Sequence, residues 1–350
     1  MLEIPASIED VTPAWLDKAL STTTPGLEID SAQVVDVVHG ACTKVRIGVR
    51  ANRNDFPSTV MMKIGFEPHS EAMMLMHRRE HHAYHDLAPT LEVNTPRCFY
   101  SAVDDAGRAL VILEDLCLRD VRFQSLQAPL SFDVASRFLE GLARIHARWW
   151  GEPGLEERFP WTRNAQVGDD HYLDILRSTE RFNRYVFSPR GAATPRRLLD
   201  GPLLLRAYAA MQAYFRDLPD TVGHGDMHLG NLYTDADGTP GYLDWQPYVG
   251  PWSIDVSYFM IAGLDVLDRR RWEGALLQHY LTCLAGLGVK APTFDDAWAA
   301  YRRSVIWGLA VWMLNSSQFQ TESNNTAAAT RFAMATVDLD TLGLLGLGSC

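Results

Sequence analysis

Lysine is nearly missing from this chain of 350 residues: Lys18, Lys44, Lys63 and Lys290 are all there are, and arginine supplies the rest of its 32 basic side chains. A role that calls for a compact ammonium rather than a guanidinium therefore falls on one of four positions. Long apolar runs are missing too. The greasiest window, Ile306 to Leu314, is about half a membrane span. The N-terminus carries neither the basic flank nor the apolar core of an export signal. Basic clusters are absent and the net charge is −11, which argues against nucleic acid or an anionic membrane as partner. The cysteines are odd in number (5), scattered and without a CxxC pair. That argues against a disulfide framework or a cysteine zinc site and makes a reducing cytoplasm the expected compartment.

What is present suffices for a large core: 47% of the residues are hydrophobic and 21% charged. The length suggests one large domain or two medium ones. Residues 8–20 read as a helix, with Thr12 as N-cap, Pro13 at the first position and Trp15, Leu16, Ala19 and Leu20 on one face. From 28 to 66, valine- and isoleucine-rich runs broken by Gly, Asn, Asp and Pro read as three strands. A helix is expected over 68–88, then two strands ending in LVILEDL at 110–116. After residue 120 the pattern turns helical: 131–150, 169–187, 200–217, 254–285 and 294–346, with a short β island at 221–246. The reading is an α+β fold: a small antiparallel-sheet N-terminal lobe with one main helix, and a larger, mostly helical C-terminal lobe.

The chemistry concentrates in residues 222–250. His224, Asp226, His228 and Asn231 crowd a glycine-rich loop, and a hairpin follows whose far end carries Asp244. Folding that hairpin is expected to bring Asn231 and Asp244 together as half of a hard-cation site suited to magnesium. Asp226, one loop away, is placed to accept a proton or orient a nucleophile.

The H-G-D-x-H-x-x-N run, the hairpin and D-W-Q together resemble the aminoglycoside phosphotransferase and choline kinase superfamily of protein-kinase-like enzymes, nearest its CHK-like (ecdysteroid-kinase-like) branch. The resemblance implies a two-lobed kinase fold, divided as a nucleotide-binding lobe (1–113), a hinge (114–118) and a catalytic and acceptor-binding lobe (119–350). It makes Asp226 the catalytic aspartate, with Asn231 and Asp244 as Mg2+ ligands. Trp245 and Gln246 stand where protein kinases have Phe and Gly. Lys63, ending the third strand, matches the phosphate-anchoring lysine, and Glu80 its carboxylate partner, although Glu71 lies on the same stretch. Glu114 and Leu116 match the hinge backbone that holds adenine, between apolar strand residues such as Ile47 and Met61. LARIHARWW resembles the helix that precedes the catalytic loop, and Asp255 matches the aspartate that anchors it. Only Gly40 represents the glycine-rich loop; the backbone from Gly40 to Lys44 is expected to cover the phosphates, with Lys44 and Arg46 as side chains within reach of them.

The implied activity is ATP-dependent transfer of phosphate to the hydroxyl of a small molecule, in the EC 2.7.1 manner, with ATP and Mg2+ as cofactors and the nucleotide choice between ATP and GTP open. The acidity is spread over both halves, and WGLAVWMLNSSQFQ in the C-terminal helices is apolar with uncharged polar residues. The acceptor is therefore expected to be neutral or apolar: an alcohol, a sterol-like or a hydroxyacyl compound. Aminoglycoside- or choline-type phosphotransfer is the alternative, and a nucleotide-binding pseudokinase the alternative of another class. A zinc hydrolase built on His224, Asp226 and His228, or on His77, His81 and His85, leaves Lys63 and Asp244 unexplained. His224 reads as a loop brace, His228 as a brace or a site contributor, and His146 as a core histidine. Trp149, Trp150, Trp307 and Trp312 read as core rather than as an acceptor box. The sequence leaves the oligomeric state open.

Overall fold

A computed structural model describes residues 2–162 and 170–349. The chain forms two compact units. One holds the chain up to Arg122 together with Thr234–Asp237 and Gly241–Gln246; the other holds Phe123–Tyr233, Gly238–Pro240 and the chain from Pro247 on.

In the first unit, Thr12 Oγ1 accepts the Trp15 amide at 3.2 Å and opens α1 (Pro13–Ser21), with proline in the first turn where no amide is needed. Five antiparallel strands follow: β1 (Ile29–Val38), β2 (Thr43–Ala51), β3 (Thr59–Ile64), β4 (Cys98–Val103) and β5 (Ala109–Glu114). Their order in the sheet is β1-β2-β3-β5-β4. Alternation along the strands splits the sheet into two faces. Val45, Ile47, Val60, Met62, Ile64, Leu110 and Ile112 pack in one core with Leu16, Ala19 and Leu20 of α1. Lys44, Arg46, Met61, Lys63 and Val111 belong to the other alternation, with Lys44 paired to Lys63 and Lys63 to Val111 in register.

This register corrects one expectation. Ile47 cannot bracket an adenine beside Met61, because its side chain is in the α1 core and 1% exposed. The helix expected from residue 68 is also shorter: α2 runs over Met74–His82 and continues as one π turn, Ala83–Leu87. Residues 68–73 are turns instead. There Ser70 Oγ accepts the Glu67 amide at 2.9 Å, a local bond that competes with helix. Strand β6 (Val121–Phe123) ends this stretch.

In the second unit, α3 (Phe132–Ala147) is capped by Ser131 and buries Ala135, Phe138, Leu139, Leu142, Ala143 and Ile145. Helices Asp170–Arg177, Thr179–Val186 and Gly201–Phe215 follow. The expected helix start at 169 lies outside the described residues. Strand β7 (Asp220–Gly223) leads into the HGDMHLGN loop, and the hairpin strands are β8 (Leu232–Asp235) and β9 (Pro240–Tyr242). Strand β10 (Tyr248–Pro251) pairs back onto β7, with Tyr248 opposite Gly223. Helix Ser253–Gly263 is buried along its whole length. The segment expected as helical over 254–285 divides at Leu264, after which Asp265 caps Val266–Gly286 by accepting the Leu267 amide at 2.8 Å. Helices Phe294–Leu314 and Glu322–Asp338 complete the unit's main framework. No helix among the described residues is long and apolar enough to cross a membrane.

Candidate active site

Two clusters of the candidate side chains stand out, one in each unit. In the first, the Lys63 ammonium is buried at the end of β3, 7% exposed, and bonds both Glu80 on α2 and Oδ1 of Asp244. Glu71 is exposed and takes no part, so Glu80 is the partner on that stretch. Asp244 Oδ2 is bound by Lys44 at 3.1 Å. Both oxygens of one carboxylate are thus held by two of the four lysines. Asp244 also adopts φ +55°, a left-handed backbone that non-glycine residues rarely take.

The electrostatics follow from this arrangement. Burial alone would raise the Asp244 carboxyl, but Lys44 and Lys63 hold it well below the usual carboxylate range. Burial disfavours the Lys63 ammonium, yet Asp244 and Glu80 outweigh it and keep the group charged. Glu80 is pushed up, first by burial and then by Asp244, against the pull of Lys63. Lys44 is raised chiefly by Asp244, and its side chain is 38% exposed.

The chain before Lys44 is fastened down. The carbonyl of Gly40 accepts from His69 Nε2 at 2.8 Å and that of Ala41 from His77 Nε2 at 3.1 Å. Thr43 Oγ1 donates to Glu67 at 2.9 Å. At the other end of the sheet, the Glu114 carboxylate accepts the Arg97 amide at 3.2 Å and Arg119 at 3.3 Å. Leu116 is buried. What Glu114 and Leu116 offer a ligand is therefore backbone rather than side chain. Arg46 is committed to Asp115, at 3.0 Å.

In the second unit, the HGDMHLGN loop hangs on Asp255. The two Asp255 oxygens accept the His224 amide at 2.6 Å and the Gly225 amide at 3.0 Å. His146, fully buried on α3, lies 3.3 Å from Asp255 Oδ2 and 2.8 Å from the Tyr280 hydroxyl. His224 Nδ1 accepts the Asp226 amide at 3.2 Å, which braces the loop. Asn231 Nδ2 donates to both the carbonyl and the carboxylate of Asp226, each at 2.9 Å. His228 Nδ1 accepts the Gly230 amide at 3.0 Å, so its proton resides on Nε2, which faces Asp226 Oδ2 at 3.5 Å. Burial would raise the Asp226 carboxyl, but His228, His224 and Asn231 more than offset it and hold it below the ordinary value. His228 is therefore both brace and neighbour of the Asp226 carboxylate.

Two arrangements went unread in the sequence: the grip of Lys44 on Asp244 and the fastening of the Gly40 turn by His69 and His77. Strand register creates the first, because Lys44 and Lys63 pair across β2 and β3. The scarcity of lysine was the available signal. The zinc alternative finds no support. Among the described residues, the three-ligand group that converges is Glu140, His279 and Cys283, not the motif histidines. Of the four tryptophans expected in the core, Trp149 and Trp312 are each 1% exposed, while Trp150 and Trp307 are partly accessible.

The likeness to known proteins agrees with this geometry. The model of the phosphotransferase enzyme family matches residues 63–297. Among solved structures, the GDP complex of wild-type aminoglycoside 2'-phosphotransferase-IIIa is 13% identical, with 93% of this chain and 99% of that one covered at a TM-score of 0.52. The GDP and kanamycin complex of APH(2")-IIia is 14% identical, covering 92% and 98% at 0.53. An ethanolamine kinase of Plasmodium vivax is 11% identical, covering 90% and 82% at 0.53. At such identities these structures share the two-lobed kinase-like fold. No curated protein matches in sequence. The family match, which spans both Lys63 and the HGDMHLGN loop, shows that the chain belongs to the phosphotransferase enzyme family.

Proposed function

We propose that the chain is an ATP-dependent small-molecule kinase that transfers the γ-phosphate to a hydroxyl of a neutral or apolar acceptor. The observation that carries this reading is the placement of the two carboxylates. Asp226 is held by Asn231 at 2.9 Å and faced by His228 at 3.5 Å, and both oxygens of Asp244 are held by two lysines. The family match supports it. Residues 1–113 would bind the nucleotide, 114–118 form the hinge, and 119–350 carry catalysis and the acceptor. The loop and D-W-Q texture support a reading nearest the CHK-like branch, and the cytoplasm is the proposed compartment.

The residues fit the cofactors. Phosphoryl transfer asks the protein mainly to position groups and neutralise charge. Lys63, fixed by Glu80, would anchor the phosphates, and the backbone at Gly40 would cover them. Backbone groups at Glu114 and Leu116 would hold the base against Met61, with Val111 deeper on the same face. Asn231 and Asp244, both oxygen donors, would hold Mg2+, which when bound spreads the developing charge over the phosphate oxygens. Asp226 would accept a hydrogen bond from the acceptor hydroxyl and take its proton late. His228 would hold the Asp226 carboxylate in place through Nε2.

For the acceptor, the accessible end of a chain of ring contacts, Trp307 and Tyr172, favours an apolar compound, whereas Trp312 and Tyr258 are core. His228 packs on Trp312 at 5.3 Å, Trp312 on Tyr258 at 6.2 Å, Tyr258 on Trp307 at 6.5 Å and Trp307 on Tyr172 at 6.2 Å. The rings lie beside the Asp226 loop, and the carboxylate they meet is Asp226 itself, through His228 at 3.5 Å and through Tyr258. The test is an ATP-consumption screen over hydroxylated metabolites, with Asp226→Ala as the blank. Ethanolamine, choline and kanamycin belong in the screen, since two similar structures are named for an ethanolamine kinase and a kanamycin complex. Turnover confined to such amines would overturn the neutral-acceptor reading. Binding of Mg–ATP without phosphorylation across the panel would favour a pseudokinase.

A further inference from the structure

Asp244 is claimed twice. Its Oδ1 is bonded by Lys63, and its Oδ2 by Lys44 at 3.1 Å. The two lysines are not equivalent. Lys63 is 7% exposed and has a second carboxylate, Glu80, to keep its charge compensated. Lys44 is 38% exposed, and Asp244 is its one carboxylate partner among the described residues. The two residues face each other across β2 and β3, so their side chains reach the same region. Lys44 is the second residue of β2, just after the bend at residues 40–42, and this stretch is fastened by His69, His77 and, through Thr43, Glu67.

A divalent cation on Asp244 changes this balance. An ammonium and a dication on one carboxylate repel each other at contact distance. Lys63 can remain on Glu80, whereas Lys44 must find another anion. In a kinase the anion that arrives with the metal is the polyphosphate, and ammonium-to-phosphate bonds are among the stronger charge-assisted ones. Resting on the kinase reading above, we propose that Lys44 is a second phosphate anchor, which holds Asp244 until the metal and nucleotide bind and then transfers its ammonium to the phosphates. Lys44 would then keep the metal-binding carboxylate in place, and afterwards close the strand end over the nucleotide.

The experiment is equilibrium binding by tryptophan fluorescence or calorimetry on the full chain. The probes are Mg–ATP, or Mg–GTP if that is what the wild type binds, and the corresponding nucleoside. Lys44→Met should weaken the Mg–nucleotide by roughly ten- to a hundredfold, the loss expected for one hydrogen bond to a charged group. Nucleoside binding should stay unchanged, because the nucleoside has no phosphate. Lys44→Arg should restore most of the loss. Unchanged or tighter Mg–nucleotide binding by Lys44→Met would show Lys44 to be only a clamp on Asp244 and overturn the proposal. Parallel loss of nucleoside binding, or no recovery in Lys44→Arg, would also overturn it. Failure of the wild type to bind either nucleotide would instead strike at the kinase reading itself.

Discussion

Asp244 is the residue on which the most constraints meet. Its left-handed backbone costs on the order of 1–3 kcal/mol in a non-glycine residue, and its carboxylate is held by two ammonium groups. A carboxyl whose folded value lies below its unfolded one stabilises the fold fully above the unfolded value of about 3.9. That stabilisation fades as pH falls below it, toward the folded value. The urea midpoint of the wild type should therefore drop more steeply as pH falls below about 4 than that of Asp244→Asn. Parallel curves would mean that the lysines do not grip this carboxylate in solution. Lys63 permits a sharper test. Lys63→Met leaves Glu80 and Asp244 facing each other without their shared cation and should cost about 3 kcal/mol of stability. Adding Glu80→Leu to that variant should recover part of the loss, a non-additivity that urea titration of the double-mutant cycle measures.

Among the elements, the β7–β10 pair carries the HGDMHLGN loop, and one glycine sets how closely it packs. A Cβ on Gly223 would lie 2.2 Å from the Tyr248 ring and 2.7 Å from Asp255 Oδ2. Gly223→Ala should therefore destabilise by about 1–3 kcal/mol and depress phosphotransfer by displacing Asp255 from the His224 and Gly225 amides. Gly286→Ala is the control. It ends a helix, and a Cβ there meets nothing within 4 Å. Its unfolding midpoint should hold or rise slightly, because alanine favours helix by about 1 kcal/mol. A fall in Gly286→Ala equal to that in Gly223→Ala would remove the steric explanation. Local signals announced some elements well. Thr12 and Pro13 open α1, and Ser131 opens α3. They misjudged the start of α2, because Ser70 bonds its own neighbourhood, and the break at Leu264, which Asp265 enforces from the next helix.

For the whole molecule, a nucleotide that binds only the folded chain must raise its stability. At a concentration a hundred times the dissociation constant the gain is about 2.7 kcal/mol. Mg–ATP should accordingly raise the thermal unfolding temperature of the wild type, and by much less in Lys63→Met. No shift with either ATP or GTP would contradict the kinase reading. The sequence by itself determined the α+β class and the family, and it offered Lys63, Glu80, Asp226, Asn231 and Asp244 as candidates. Those rest on short-range information: strand alternation, capping residues, and a loop whose polar residues lie within eight positions. Tertiary structure decided what depends on register and on contacts between distant segments. It turned Ile47 into the α1 core, chose Glu80 over Glu71, and set Lys44 beside Lys63 on a carboxylate 200 residues away. The physical reason is that a strand's neighbours are fixed by pairing rather than by spacing, and no local pattern encodes which two lysines will share one aspartate.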